Sequence, residues 1–223
     1  MDDRPVLASP RAGVHPCGCT VQVRNVPRAR RGAGRGKPGY GAYVASNQHD
    51  HTPVLTGLGL TLRGVVEGDI ATIRSISYYD GRVAIDDDDA AEMLRRIHGD
   101  VARGESLHWG ICLQGSDEVT GTVGFYRGFA DGIGEVGYVL REVYRGRGIM
   151  TRAVRIVVAY GLGPLGLARV EARSARDNEA SRALLLRAGF VEAGIVQHGA
   201  AEEQVRYVAT GAGPPAPGAP APT

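Results

Sequence analysis

Between residues 54 and 210 the apolar positions recur with two different periods, and the switches between them mark out elements. Leu60 to Val66 reads as a strand. Asp69 then opens a helix with Ile70, Ile73 and Ile76 on one face. A second helix follows the acidic run Asp86 to Asp89, with Ala90, Leu94, Ile97 and Val101 at helical spacings; negative side chains at a helix start match the macrodipole. Three strands are predicted next: His108 to Gln114, Val119 to Arg127, and Gly134 to Leu140. The first two are joined by the turn Gly115-Ser116-Asp117-Glu118. A glycine-bearing loop, Arg141 to Gly148, leads into a helix with Ile149, Ala153, Ile156 and Tyr160 on one face, stopped by the cluster Gly161 to Gly166. Arg169 to Arg173 is a short strand. Asn178 N-caps a helix that runs to Ala188 and ends at Gly189, and strands Phe190 to Gln197 and Gln204 to Thr210 follow. The order β-α-α-β-β-β-α-β-α-β-β predicts an α/β fold, a mixed sheet with helices on its faces.

The two ends have another character. Of the 12 prolines, only Pro164 lies between residues 54 and 213. Residues 1–53 are expected to be a disordered Arg/Gly/Pro-rich extension and 211–223 a disordered Pro/Ala/Gly tail, because neither has enough to bury to offset its ordering entropy. Residues 54–210 are then a single domain. The net charge of +2 hides an asymmetry: residues 1–50 are basic, while 51–210 carry more Asp and Glu than Arg. Lys37 is the only lysine in the chain. The longest uncharged apolar stretch, Ile156 to Ala168, is too short to span a bilayer and is broken by glycines and a proline, so no membrane association is expected. Asp2 and Asp3 with no apolar run behind them predict no export signal, and three cysteines make no disulfide framework; a cytoplasmic location is the expectation.

Chemistry concentrates in one segment, Tyr138 to Met150. A strand ends, Gly146 and Gly148 permit a tight turn, and a helix begins. Backbone N–H groups in such a turn converge on one concavity, and the helix dipole adds positive potential, which suits a pyrophosphate. Arg145 and Arg147 can add charge pairing. A plain glycine turn between strand and helix accounts for the same residues, and the spacing is neither the dinucleotide fingerprint nor the P-loop.

Arg145-Gly146-Arg147-Gly148-Ile149-Met150 resembles the Gln/Arg-x-x-Gly-x-Gly/Ala signature of the GCN5-related N-acetyltransferases, with Met150 in place of the usual small last residue. Glu135-Val136-Gly137-Tyr138-Val139-Leu140 is similar to the Glu-Ile/Val-Gly-Tyr-x-Ile/Leu strand of the RimJ/RimL-like branch, which acetylates ribosomal-protein N-termini. Asn178, Ser181, Leu184, Gly189 and Phe190 are similar to that branch's last helix, and Leu62-Arg63 to its opening strand. The resemblance covers about residues 60–209. It implies a mostly antiparallel central sheet splayed between its fourth and fifth strands, Gly134–Leu140 and Arg169–Arg173. It further implies acetyl-CoA as cosubstrate, with its pantetheine in the gap, and no metal.

Residue by residue, the resemblance assigns donor binding to Val139 and Leu140 through their main chain, to Arg145, Gly146, Arg147, Gly148 and Ile149 at the phosphates, and to Asn178 at the pantetheine. Glu135 is the candidate base, its alternative being a surface strand carboxylate. Ser181 is the candidate hydrogen-bond donor to the thiol, its alternative being a helix-start residue. Leu185 occupies the slot where many family members carry a thiolate-protonating Tyr. Tyr138, Tyr78 and Tyr79 are expected to wall the acceptor site. Met150 is expected to narrow the phosphate cradle, and Arg152, where the branch has Glu, to reach the phosphates or point to solvent.

Three weaker signals are set aside. His15-Pro16-Cys17-Gly18-Cys19 lacks the further ligands of a zinc site. Gln48 to His51 is equally isolated. The arm Arg24 to Arg35 has the charge for RNA, but in a chain with this arginine bias no nucleic-acid partner is expected. The reading is an acetyl-CoA-dependent N-acetyltransferase acting on a primary amine, a protein N-terminus or a small molecule, as monomer or homodimer. Its rivals are an enzyme modifying antibiotics or polyamines, and an inactive acyl-CoA-binding module whose Arg-rich arm contacts nucleic acid.

Overall fold

Strands pair antiparallel along the whole sheet except at one seam. The computed structural model describes residues 12–14, 20–24, 52–198 and 202–211. Its strands are β1 (Ala12–Val14), β2 (Thr20–Arg24), β3 (Val54–Gly57), β4 (Leu60–Arg63), β5 (Tyr78–Tyr79), β6 (Arg82–Val83), β7 (Leu107–Leu113), β8 (Val119–Tyr126), β9 (Ile133–Leu140), β10 (Arg169–Ala175), β11 (Val191–His198) and β12 (Glu202–Thr210). Its helices are α1 (Ile70–Ile73), α2 (Asp87–Ala102), α3 (Ile149–Leu162) and α4 (Glu179–Ala188). The main sheet runs β1-β2-β3-β4-β7-β8-β9-β10-β12-β11, and β5 with β6 forms a separate hairpin.

β7 and β8 are buried almost throughout because helices cover both faces. On one face Trp109, Val123, Phe125 and Val136 pack against Ala153, Ile156, Val157 and Tyr160 of α3. Trp109 meets Phe125 and Tyr160 edge-on at 6.2 and 5.8 Å, and its indole N–H donates to Pro53 O at 2.7 Å, so the large buried ring keeps no unpaired donor. On the other face Ile70, Ile73, Ile76, Ala90 and Leu94 cover Cys112 and Val119.

The acidic run does what helix physics asks of it. Asp86 accepts from the Asp89 amide at 2.8 Å, and Asp89 accepts from Ile85 N at 3.0 Å and from Arg82 at 2.5 and 2.6 Å. Arg82 and the Ile85 amide hold the Asp89 carboxyl down at about 2.

Two expectations are corrected. The extension 1–53 contains β1 and β2, and β2 pairs antiparallel with β3 from Gln22↔Thr56 to Arg24↔Val54. The alternation of Thr20-Val21-Gln22-Val23 suits a strand that can borrow a sheet edge, although it could not stand alone. The helix expected from Asp69 is a single α-turn, α1, between two 3-10 turns, Glu67–Asp69 and Arg74–Ile76. Its start is fixed by Asp69, which accepts from Val66 N and forms a two-pronged pair with Arg63 at 2.8 Å. The β-branched Ile70, Thr72, Ile73 and Ile76 do little to extend it. The motif His15 to Cys19, the segment Gln48 to His51, nearly all of the arginine arm and the tail 212–223 lie outside the described residues.

The seam is β9 with β10. They pair parallel only over Arg169↔Ile133, Val170↔Gly134 and Glu171↔Glu135. Beyond that, β10 stays paired to β12 as far as Ala175, and β9 stays paired to β8 as far as Leu140. The sheet therefore parts into two intact halves with a gap between them.

Candidate active site

The gap has its apex at Glu135 and opens toward Leu140. Five residues of strand give it a length of roughly 17 Å. Which backbone groups face it follows from register. Arg141 N donates to Thr120 O at 3.0 Å, and alternation then turns the amide and carbonyl of Val139 and Gly137 toward β8 as well. Those of Leu140 and Tyr138, with the carbonyl of Val136, point into the gap, while the Val136 amide closes the apex onto β10 beside Glu171. Of the expected main-chain pair, Val139 pairs with Thr122 on β8, whereas Leu140 faces the gap together with Tyr138. Leu140 O is met there by Arg145 Nε at 3.4 Å.

At the open end the chain turns through Glu142–Tyr144 and reaches α3. Gly146 and Gly148 hold φ of 75° and 67°, a region L side chains rarely adopt, and among the described residues no atom beyond the adjoining residues lies within 4 Å of where a Cβ would stand on either. Gly148 is the N-cap and has no side chain to offer, so the first amides of α3, from Ile149, Met150 and Thr151, have no acceptor one turn back. The open concavity, the unpaired amides and the nearby cations fit a pyrophosphate. Arg147 lies over the Tyr144 ring at 5.7 Å, and Arg141 at 5.2 Å. Met150 does not narrow this cradle: its side chain is buried in the main core. Arg152 reaches neither phosphate site nor solvent alone, since its Nη1 donates to Leu58 O at 2.7 Å in the β3–β4 turn.

Across the gap, α4 starts at Asn178, whose Oδ1 accepts from Ser181 N at 3.0 Å. Ser181 Oγ is 2.9 Å from Tyr138 Oη. Tyr138 was expected to wall the acceptor site. Its backbone does border the cleft described next, but its side chain follows the even positions of β9 to the α3 and α4 face. Leu185 is wholly buried in the core.

The odd positions of β9 face the opposite way, into a cleft of about 980 Å³ between the sheet and α1, α2 and the β5–β6 hairpin. Glu135, Gly137 and Val139 form one wall, Ile73, Met93 and Ile97 another, and Tyr78 and Tyr79 stand at its edge as expected. Tyr79 donates to Asp100 Oδ2 at 3.2 Å; burial and that carboxylate raise its phenol above the usual value. Glu135 has both oxygens engaged, Oε1 by Arg127 at 3.0 Å and Oε2 by Arg173 at 3.3 Å, so it ties β9 to β10 at the apex.

Two floor residues escaped sequence reasoning, His108 and Tyr126. Their rings lie 5.9 Å apart, and burial lowers His108 to about 4, with the nearby His98 adding to it, so the imidazole is neutral at pH 7. Burial raises the Tyr126 phenol. The signal was available in register: His108, Gly124 and Gly137 form one cross-strand row, on the same face as the row Tyr126 and Glu135.

A mostly antiparallel sheet that parts beside a glycine-bearing helix start defines the acetyltransferase class of α/β folds. The family described as "Acetyltransferase (GNAT) domain" matches residues 60–191, more than half of the chain, and the chain belongs to that family. "Probable N-acetyltransferase YjcK" of Bacillus subtilis is 37% identical over 95 residues, 42% of this chain and 52% of the relative. The chain spans about half the length of the curated relatives it matches first. Among solved structures, a GNAT-family acetyltransferase from Bacillus anthracis superposes with a TM-score of 0.60 at 19% identity, covering 70% of this chain and 98% of that one. Mycobacterium smegmatis RimJ in complex with CoA-disulfide gives 0.59 at 23% identity, covering 68% and 81%. A RimL ribosomal L7/L12 alpha-N-protein acetyltransferase also superposes, with a TM-score of 0.58 at 18% identity, and these neighbours show the shared fold.

Proposed function

We propose that the chain is an N-acetyltransferase that uses acetyl-CoA and acetylates a primary amine held in the cleft under α1 and α2. One observation carries this: the gap between β9 and β10 is bordered at its open end by the glycine loop and along its length by a cleft on the far face of the sheet. The acetyl thioester is the chemistry that acetyl-CoA brings. The chain's own residues do the rest. Amides around Gly146 to Ile149, with Arg145 and Arg147, bind the phosphates. Leu140 and Tyr138 offer main-chain partners in the gap, and Asn178 stands at its α4 border. Gap and cleft meet at β9, so amine and thioester are held together in a ternary complex and direct attack needs no acyl-enzyme. Glu135, at the apex and in the cleft, takes the proton of the attacking ammonium through a water, its charge kept in place by Arg127 and Arg173.

Acetyl-CoA should raise the melting temperature of the full chain, because a ligand that binds only the native state stabilises it. Free thiol should then appear when N-terminal peptides or small amines such as polyamines are supplied. Glu135→Gln should lower turnover by about 10²-fold or more while leaving the acetyl-CoA shift unchanged. No thermal shift at saturating acetyl-CoA, or no thiol with any amine tried, refutes the proposal. Full turnover in Glu135→Gln removes only the assignment of the base.

A further inference from the structure

Tyr126 crosses the cleft floor diagonally. From its place on β8 opposite Glu135, its ring passes over Gly137, and its Cζ and Oη come within 3.0 Å of where a Cβ on Gly124 would stand. Gly124 is paired with His108 on β7. The two glycines thus clear a lane that lays the phenol hydroxyl beside the imidazole, the rings 5.9 Å apart and tilted at 56°. Both residues border the cleft, and His108 is only 7% exposed. Among the described residues no hydrogen bond reaches the polar end of either; burial and the nearby His98 act on the imidazole, and burial alone acts on the phenol. His98 itself is turned to Val65 O at 2.9 Å. Two adjacent polar groups left unsatisfied at this depth cost free energy that a bound polar atom would offset.

The rest of the cleft limits what that atom belongs to. The facing wall is apolar, with Ile73, Ile76, Met93, Leu94 and Ile97. Its carboxylates are already paired: Glu135 with Arg127 and Arg173, and Asp100 and Glu105 with Arg103. Asp80, in the hairpin turn at the rim, is exposed. Burial keeps His108 uncharged at pH 7, so a second ammonium deep in the cleft would meet no free anion among the described residues. β7 is two strands, roughly 10 Å, from β9, so His108 and Tyr126 meet the body of an acceptor whose amine lies at β9.

We infer that His108 and Tyr126 read the acceptor, hydrogen-bonding one uncharged oxygen, carbonyl or hydroxyl, on the apolar body of a monoamine. The assignment rests on the acetyl-transfer reading above and narrows its substrate class. The phenol donates to that oxygen, and the neutral imidazole donates from the nitrogen that carries its proton. An amine without the oxygen leaves both buried groups unpaired, and a polyamine adds a charge with no partner, so both bind less well.

The test titrates amines calorimetrically into the full-length chain with CoA present, so that binding is read with no acetyl group to transfer. Two matched pairs differ only in an oxygen-bearing group, leucinamide against isoamylamine and tyramine against phenethylamine; spermidine is the polyamine. In at least one pair the oxygen-bearing member should bind the wild type about 10-fold tighter, with spermidine weakest. Tyr126→Phe should remove most of that gain while leaving isoamylamine and phenethylamine within about 2-fold of wild type, and His108→Leu should do the same. Tyr126→Phe deletes one exposed-side hydroxyl without opening the core, so it decides the matter even where His108→Leu fails to fold. With acetyl-CoA, the same preference should appear in KM for the amine. Equal binding within both pairs, tightest binding of spermidine, or a gain that survives Tyr126→Phe overturns the assignment. Thiol release absent with every amine, while the oxygen preference in binding holds, overturns the acetyl-transfer reading and supports His108 and Tyr126 as a binding site.

Discussion

Gly124 and Gly137 sit opposite one another on β8 and β9, and the Tyr126 ring lies across both. A methyl group at either position should cost stability, but by very different amounts. A Cβ on Gly137 would stand 3.0 Å from Cδ2 and Cε2 of Tyr126. That ring lines the cleft and can lift into it by a few tenths of an ångström, and alanine recovers part of the cost by restricting the unfolded chain. A net loss of about 0–1 kcal/mol follows for Gly137→Ala. A Cβ on Gly124 would stand 2.4 Å from Leu107 O, a main-chain atom of the neighbouring strand, as well as 3.0 Å from the Tyr126 ring. Only spreading β7 from β8 relieves that contact, so Gly124→Ala should lose about 3 kcal/mol or more. Urea unfolding followed by the fluorescence of Trp109, the only tryptophan in the chain, reads the difference. With m of about 2 kcal/mol/M, the two midpoints should be separated by about 1 M. Gly137→Ala should also raise KM for the amine, because the lifted ring enters the cleft, without changing the acetyl-CoA thermal shift. Equal midpoints, or the reverse order, would refute the account of why β8 and β9 carry facing glycines.

Two further outcomes follow from the site. His108 has its folded pKa at about 4 because it is buried, so the unfolded chain binds the proton first as pH falls. Its contribution is whole above pH 6.5 and is lost as pH drops toward 4, a change of about 3 kcal/mol. His108→Gln should flatten that part of the dependence of urea midpoints between pH 7 and 4.5, and an unchanged slope would rule His108 out as its source. Gly148→Ala introduces no clash but forces a left-handed alanine at φ of 67°, costing roughly 1–2 kcal/mol. It should leave the protein folded and shrink the acetyl-CoA thermal shift; an undiminished shift would place the phosphates elsewhere.

The sequence made much of this architecture readable because the decisive signals are local. The strand-loop-helix from Gly134 to Tyr160 is written in period changes and glycines. The Asp86 and Asn178 caps were visible in residue type alone. What could not be read depended on neighbours distant in the chain. β1 and β2 are strands because β3 offers an edge, and their proline-studded surroundings masked the short alternation of Thr20 to Val23. The division of labour between Val139 and Leu140 needs the β8 register, since spacing alone cannot say which carbonyl is already taken. The Tyr138 side chain was unreadable for the same reason: alternation puts it on the α4 face, where it meets Ser181. His108 and Tyr126 lie on strands whose two faces are both covered, so nothing in the local pattern distinguished a cleft floor from core.

The pairing of β2 with β3 gives the arginine-rich stretch an unexpected topology. The chain leaves the sheet at Arg24 and returns beside it at Val54. Cutting the chain after residue 50 strips β2 away and leaves Val54–Gly57 as a bare edge with unpaired N–H and C=O groups, a template for self-association. Internal excision or arginine replacement, rather than truncation from the N-terminus, is therefore the way to isolate what those cations contribute.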